Sequence, residues 1–316
     1  MENKEKEFEE EMCDGNCETC SHSDNCDGNC ENCTSHSSCN GDCEHCSSSC
    51  SSNKNANFKL NLNQFSHIKK IIGVVSGKGG VGKSMISSLL AVSLAQRGLS
   101  VGIMDADITG PSIGRTFGVK EKAYGQNNLI YPFVTKEYSI KVMSANMMLP
   151  NEDDPIIWRG SLIANLVQQF YSDVLWGKLD VLVIDMPPGT GDVALTTFQS
   201  IPLDGIVMVT TPQDLVSMIV TKALKMAEMM KINVLGVVEN MAYVECPCCN
   251  EKIYMYGESK TQNLVKAFAL DVLASLPINS SLTQLVNEGR IEEYKGDYLQ
   301  KLVDLIVDGI DLGEGD

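Results

Sequence analysis

The run Val75-Ser76-Gly77-Lys78-Gly79-Gly80-Val81-Gly82-Lys83-Ser84 joins an apolar stretch at 70–75 to an amphipathic one at 83–97, which leaves the local fold little choice. The first stretch reads as a strand, the second as a helix, and the glycines between them as a tight loop. In such a loop, backbone N–H groups from Gly77, Gly79, Gly80, Val81 and Gly82 point inward at phosphate oxygens. Lys83 adds positive charge and Ser84 offers an oxygen to Mg²⁺. The chain is therefore expected to bind a nucleotide.

The same alternation continues downstream. Strands are expected at 70–75, 100–105, 140–144, 181–185, 205–210, 234–239 and 272–275, and helices at 83–97, 161–171, 193–200, 215–231, 259–268 and 297–307. This βα order predicts an α/β fold, a doubly wound and mostly parallel sheet with its ligands at the carboxyl ends of the strands. Asp105 and Asp107 end one apolar strand. Asp185 ends another, in Val181-Leu182-Val183-Ile184-Asp185-Met186-Pro187-Pro188-Gly189-Thr190-Gly191-Asp192, the form of a Walker B strand whose carboxylate holds Mg²⁺ through water. Met208, Met218, Met226, Met229 and Met230 fall at core-like spacing and read as packing residues. Leu302, Leu305, Ile306 and Ile310 predict a docked carboxyl-terminal helix.

The amino-terminal part is of another kind. Between Met12 and Phe58 there is no Leu, Ile, Val, Met, Phe, Tyr or Trp, so nothing there offsets the ordering entropy by apolar burial. Ten of the thirteen cysteines lie in this stretch, most of them in a repeat of period thirteen: Cys13, Cys17 and Cys20, then Cys26, Cys30 and Cys33, then Cys39, Cys43 and Cys46, with Cys50 left over. The expectation is a tail and linker at 1–66, disordered without metal or ordered by it, ahead of a nucleotide-binding domain at 67–316.

Charge supports metal in the tail. Residues 1–66 carry thirteen acidic side chains and four lysines, a net of −9 out of −16 for the whole chain. Thiolates added to that segment repel one another unless iron or zinc neutralises them. Ten cysteines suffice for two four-thiolate clusters with two left over, unless His22, His36 or His45 joins in. A loosely metal-binding low-complexity tract, or zinc or nickel storage, is the alternative. The triad spacing is also that of the radical-SAM cluster motif, but those enzymes place it within a barrel, and no barrel can be built from this tail.

Acidity in both parts disfavours nucleic acid and anionic membrane as partners. The first twelve residues are a Glu/Lys run rather than a leader, and no apolar stretch is long enough to cross a bilayer. A cytoplasmic location is expected, where an odd cysteine count favours metal over disulfides. The remaining cysteines, in Cys246-Pro247-Cys248-Cys249, place Cys246 and Cys249 in C-x-x-C spacing, so two thiolates can face one metal while Pro247 stiffens the turn. Two thiolates are half a site, and a second copy of the chain would complete it. Cys248 is either spare or a zinc ligand.

With Lys78 inside it, the loop resembles the deviant Walker A of the group that holds the Min and Par partition ATPases, the nitrogenase iron protein and the arsenite-pump ATPase. That resemblance implies a homodimer sandwiching two ATP molecules, in which Lys78 reaches the partner's phosphates as an arginine finger would. It further implies that Asp107 places the attacking water, that Asp105 assists at the metal or switch, and that Asn240 reads adenine. A narrower resemblance, to the Mrp/ApbC family of iron–sulfur cluster carrier ATPases, rests on several stretches together: 77–84, Asp105-Ala106-Asp107-Ile108-Thr109-Gly110-Pro111-Ser112, Trp158-Arg159-Gly160, Trp176-Gly177-Lys178-Leu179-Asp180, 185–192, 239–249 and Ser275-Leu276-Pro277-Ile278. It implies that Cys246 and Cys249 bridge a labile [4Fe–4S] cluster between subunits for delivery to apo iron–sulfur proteins, with slow ATP hydrolysis. A Min/Par-like dimerisation switch and an ATP-gated electron donor are the competing expectations.

Overall fold

The computed structural model describes residues 59–149, 160–257, 259 and 261–310. The ten tail cysteines, Trp158 and Arg159 lie outside the described residues, as does the side chain of Met218.

The elements follow in chain order: β1 (His67–Ser76), α1 (Lys83–Gln96), β2 (Val101–Asp105), α2 (Ile113–Thr116), β3 (Tyr124–Gln126), β4 (Leu129–Tyr131), β5 (Phe133–Val134), β6 (Lys141–Met143), α3 (Gly160–Ser172), β7 (Lys178–Asp185), α4 (Asp192–Ser200), β8 (Gly205–Thr210), α5 (Asp214–Met229), β9 (Val234–Glu245), β10 (Lys252–Ile253), α6 (Thr261–Ala267), β11 (Val272–Pro277), α7 (Ser280–Asn287) and α8 (Gln300–Asp308). The main sheet runs β10-β9-β8-β1-β7-β2-β6-β5, with β11 also paired to β9. Its pairs are parallel except β5 with β6 and β10 with β9. The doubly wound, mostly parallel P-loop architecture expected from the sequence is the one observed.

The four central strands are apolar because both of their faces are covered. β2 and β8 are buried along their whole lengths, and β1 and β7 over their carboxyl-terminal halves, as parallel strands between helical layers must be. Helix α1 is also apolar nearly all round and sits inside, with Ile86, Leu90, Val92 and Leu94 fully buried. It stops at Gly98, whose φ of +85° suits a left-handed cap, with its N–H bonded to the Ala95 carbonyl at 2.9 Å. Chain ahead of β1 already belongs to this body: the Leu60 N–H donates to the Ser200 carbonyl at 2.7 Å, and the Asn63 amide donates to the carbonyls of Ser172 and Val174.

Several details depart from expectation. β9 runs six residues past the expected end at Glu239, accommodating Met241 at φ +55°, and then folds back as β10. Helix α7, absent from the expected set, is started by Asn279, whose side chain accepts from the Leu282 N–H at 3.0 Å. The hairpin of β3 and β4 turns through Asn127 and Asn128, both at positive φ. Met208 is buried and Met226 and Met230 pack against the core, but Met229 is 84% exposed: its position at the end of α5 faces outward. In α8, Leu302 and Ile306 dock while Leu305 faces solvent; Ile310, just beyond it, is buried. Among the described residues no helix is long and apolar enough to cross a membrane.

Candidate active site and thiol hairpin

The phosphate loop leaves β1 at the carboxyl edge of the sheet and enters α1 through Gly82. Gly80 and Gly82 hold φ of +79° and +80°. Only glycine adopts this at no cost, and at Gly82 a Cβ would also stand 2.2 Å from Asn240 Nδ2. Lys83, at the first turn of α1, is buried, with Nζ 2.7 Å from Asp185 Oδ1. Beyond that ion pair its buried ammonium meets no acceptor, which leaves it donors for a phosphate.

Asp185 gathers this end of the site. Ser84 Oγ donates to Oδ2 and Ser87 Oγ to Oδ1, each at 2.6 Å. The β2–β7 register sets Asp105 directly beside Asp185. Asp105 is fully buried, and its carboxyl is pushed up to about 7 by that burial and by the neighbouring Asp185 charge, against the pull of the Ile113 N–H and Lys83. Its Oδ2 accepts from the N–H groups of Ser112 and Ile113 and from Ser144 Oγ, at 3.0 to 3.1 Å. Asp105 thus holds the loop that carries Asp107. Burial raises Asp107 as well, helped by Asp185 and opposed by Lys83, by Thr109 Oγ1 at 3.2 Å and by the Gly110 N–H.

Lys78 lies at the open side of the loop, where Nζ donates to Gln213 Oε1 at 2.7 Å. Asn240, fully buried on β9, donates from Nδ2 to the Val81 carbonyl at 2.9 Å, and its Oδ1 has no partner. The structure therefore brings Lys78, Lys83, Ser84, Asp105, Asp107, Asp185 and Asn240 to one edge. It adds Ser87, Ser144 and Gln213, which sequence reasoning missed. Ser87 was findable, standing one helical turn beyond Lys83 on the same face; Ser144 and Gln213 come from distant segments and carry no local signal.

Six residues beyond Asn240 the same strand reaches the cysteines. Between β9 and β10 the chain turns over Cys246–Glu251, closed by the Cys246 N–H donating to the Glu251 carbonyl and the Asn250 N–H to the Cys246 carbonyl. Asn250 takes φ +58°. The Cys246 thiol is lowered by the N–H groups of Cys248 and Cys249 and by the Cys249 side chain, while Cys248 and Cys249 are exposed. The loop thus favours a thiolate at Cys246. Among the described residues, no three His, Cys, Asp or Glu side chains converge on one point to hold a metal ion.

Known proteins resemble this chain. An iron-sulfur cluster carrier protein of Clostridium perfringens is 44% identical over 254 residues, 78% of this chain and 88% of that relative. The solved nucleotide-binding protein in complex with ADP from Archaeoglobus fulgidus is 45% identical with a TM-score of 0.67, over 74% of this chain and 91% of that one. The cell division ATPase MinD of Pyrococcus furiosus, 19% identical with a TM-score of 0.54 over 76% of this chain and 98% of that one, shares the fold. A family model, ParA, described as the NUBPL iron-transfer P-loop NTPase, matches residues 67–310, and the chain belongs to that family.

Proposed function

We propose that this protein is an ATP-hydrolysing iron–sulfur cluster carrier. In this reading it assembles a [4Fe–4S] cluster between two copies of itself and hands it to apo-proteins. The observation that carries the reading is a single strand. β9 touches the phosphate loop through Asn240 and, about 20 Å further along, ends in the cysteine turn, so one rigid element spans nucleotide and sulfur.

The residues fit ATP and Mg²⁺. An ammonium with unspent donors at Lys83 and glycines at positive φ suit a phosphate chain, and Ser84 with Asp185 suits a hard divalent cation bound through oxygen. The cation, when bound, neutralises charge on the phosphates. Lys83 then binds phosphate, Asp107 orients the attacking water, and Asp105 fixes the loop on which Asp107 sits. Asn240 offers its unpaired Oδ1 beside the loop for the base. Lys78 serves the phosphates of the second copy. Cys246 and Cys249 supply two thiolates, and the second copy supplies two more.

Nucleotide and cluster then share one dimerisation equilibrium, so each raises the affinity for the other. Anaerobic reconstitution with iron and sulfide tests this. The wild-type chain should take up a chromophore with iron at about four per dimer in the hairpin, and Cys246→Ala and Cys249→Ala should each abolish it. To keep the tail from contributing, the same pair of substitutions is compared on a chain whose ten tail cysteines are replaced by serine. Unchanged iron in the hairpin variants would overturn the reading.

A further inference from the structure

We infer that the exposed segment Ile253-Tyr254-Met255-Tyr256, directly after the cysteine turn, is the surface on which a second copy of this chain seats. Ile253, Tyr254, Met255 and Tyr256 are 48%, 51%, 64% and 47% exposed, four large apolar side chains in succession on a projecting ribbon. Scattered apolar residues on a surface need no explanation, but a contiguous group does.

The ribbon holds this strip in place. Ile253 pairs with Val244, and the Tyr254 ring packs against the Tyr243 ring at 6.2 Å between centroids. Tyr243 is buried and lies under Lys252, whose Nζ stands 4.2 Å from the ring centre. The strip is therefore presented by a pinned hairpin.

The occupant follows from reach. The inference rests on the bridged-cluster reading above, in which the partner's thiolates bind the same metal group as Cys246 and Cys249. The strip starts four residues past Cys249, and four residues extend at most about 14 Å. A partner body that delivers sulfur to that spot comes within that distance of the start of the strip. The contact is the same patch on both copies, as a two-fold interface requires. Apolar cover also keeps water from a labile cluster, and homodimer interfaces are more apolar than transient ones. A recipient protein, which must leave again, fits such a surface less well.

The test is sedimentation of the full-length chain, reconstituted anaerobically in the presence of ATP. Met255→Glu, which sets like charges into a two-fold contact, should raise the dimer dissociation constant at least about tenfold, and Met255→Ser about threefold. Both should leave the melting temperature of the nucleotide-free, iron-free monomer at its wild-type value, since Met255 is exposed. A wild-type dimer constant in Met255→Glu overturns the inference, whether the strip then proves to slow cluster delivery to an apo-acceptor or to be covered by another part of the chain. Iron content separates the two claims: full iron in the Cys246→Ala and Cys249→Ala hairpins sinks the bridged cluster, whereas full iron with an intact dimer in Met255→Glu sinks only the seating surface.

Discussion

The phosphate loop and the cysteine turn occupy the same edge of the sheet, yet they are built on opposite terms. Around Asp185 the groups are buried, or half-buried in the case of Ser84, and already engaged: Ser84, Ser87 and Lys83 converge on one carboxylate, and Asp105 lies in register beside it. At the turn two of the three thiols are exposed, and among the described residues no third ligand joins them to make a metal site. A ligand whose shape is always the same can be met by a prebuilt cradle, with donors that need no reorganisation. A cargo that must leave needs ligands that a second body can approach and a third can take over. Burial thus marks which chemistry is permanent and which is exchanged.

That contrast is broken most severely at Lys83. Replacing it with alanine should reduce ATP hydrolysis by about 10³-fold, since a buried charge on the transferred phosphate is removed. Iron loading without nucleotide should persist, while the increase in loading caused by ATP should vanish. Equal loss of both loadings would mean that the two regions are one site. Gly82→Ala probes the same cradle through the backbone. Its φ of +80° and the nearness of Asn240 should cost about 1–3 kcal/mol in urea unfolding, against less than about 0.5 kcal/mol for Cys248→Ala on the exposed turn.

The buried side of this comparison was largely readable in the sequence, and the exposed side only in part. β1, the loop and α1 follow from periodicity and glycine, and Asp105 and Asp185 are acids ending apolar strands, so their meeting follows from parallel pairing. Asn240 is instructive. It looked like a strand-end residue because Glu239-Asn240 interrupts the apolar run, whereas both are buried and β9 continues through them: Asn240 bonds to Val81, and Glu239 accepts from Ser259 and Thr261. Polar residues with partners far along the chain look like turn residues until those partners are known. The Lys78 contact with Gln213 spans 135 positions, and no local pattern announces it. Met229 failed for a simpler reason, since helical spacing near the end of α5 does not say where the core stops.

Acidity offers a middle-sized probe of the buried side. The Asp105 carboxyl is raised by burial and by Asp185 from near 3.8 to about 7, so between those values the folded chain holds a proton that the unfolded chain has released. Stability contributed by this group should therefore fall as pH rises through that window. Urea unfolding of nucleotide-free protein in EDTA should show this slope, and Asp105→Asn should remove its share. The exposed turn predicts no comparable share, so Cys246→Ser should leave the slope between pH 4 and 7 as it was. A slope that survives Asp105→Asn would place the responsible acid elsewhere.

The finest test concerns the one residue that belongs to both regimes. Lys78 sits on the prebuilt loop but, in the proposed dimer, works on the other copy, and in the single chain its ammonium is engaged by Gln213 at 2.7 Å. That hydrogen bond has to break before Lys78 can cross, so it opposes dimerisation by its own strength. Each copy gives up one such bond, about 0.5–1.5 kcal/mol when exposed, so the dimer gives up about 1–3 kcal/mol, or roughly five- to 150-fold in the dimer constant. Gln213→Ala should therefore tighten ATP-dependent dimerisation by that factor, whereas Lys78→Ala should weaken it. If Gln213→Ala instead weakens the dimer, Gln213 acts across the interface beside Lys78, and the cradle would be completed by the partner as the cysteine turn is in the proposed dimer.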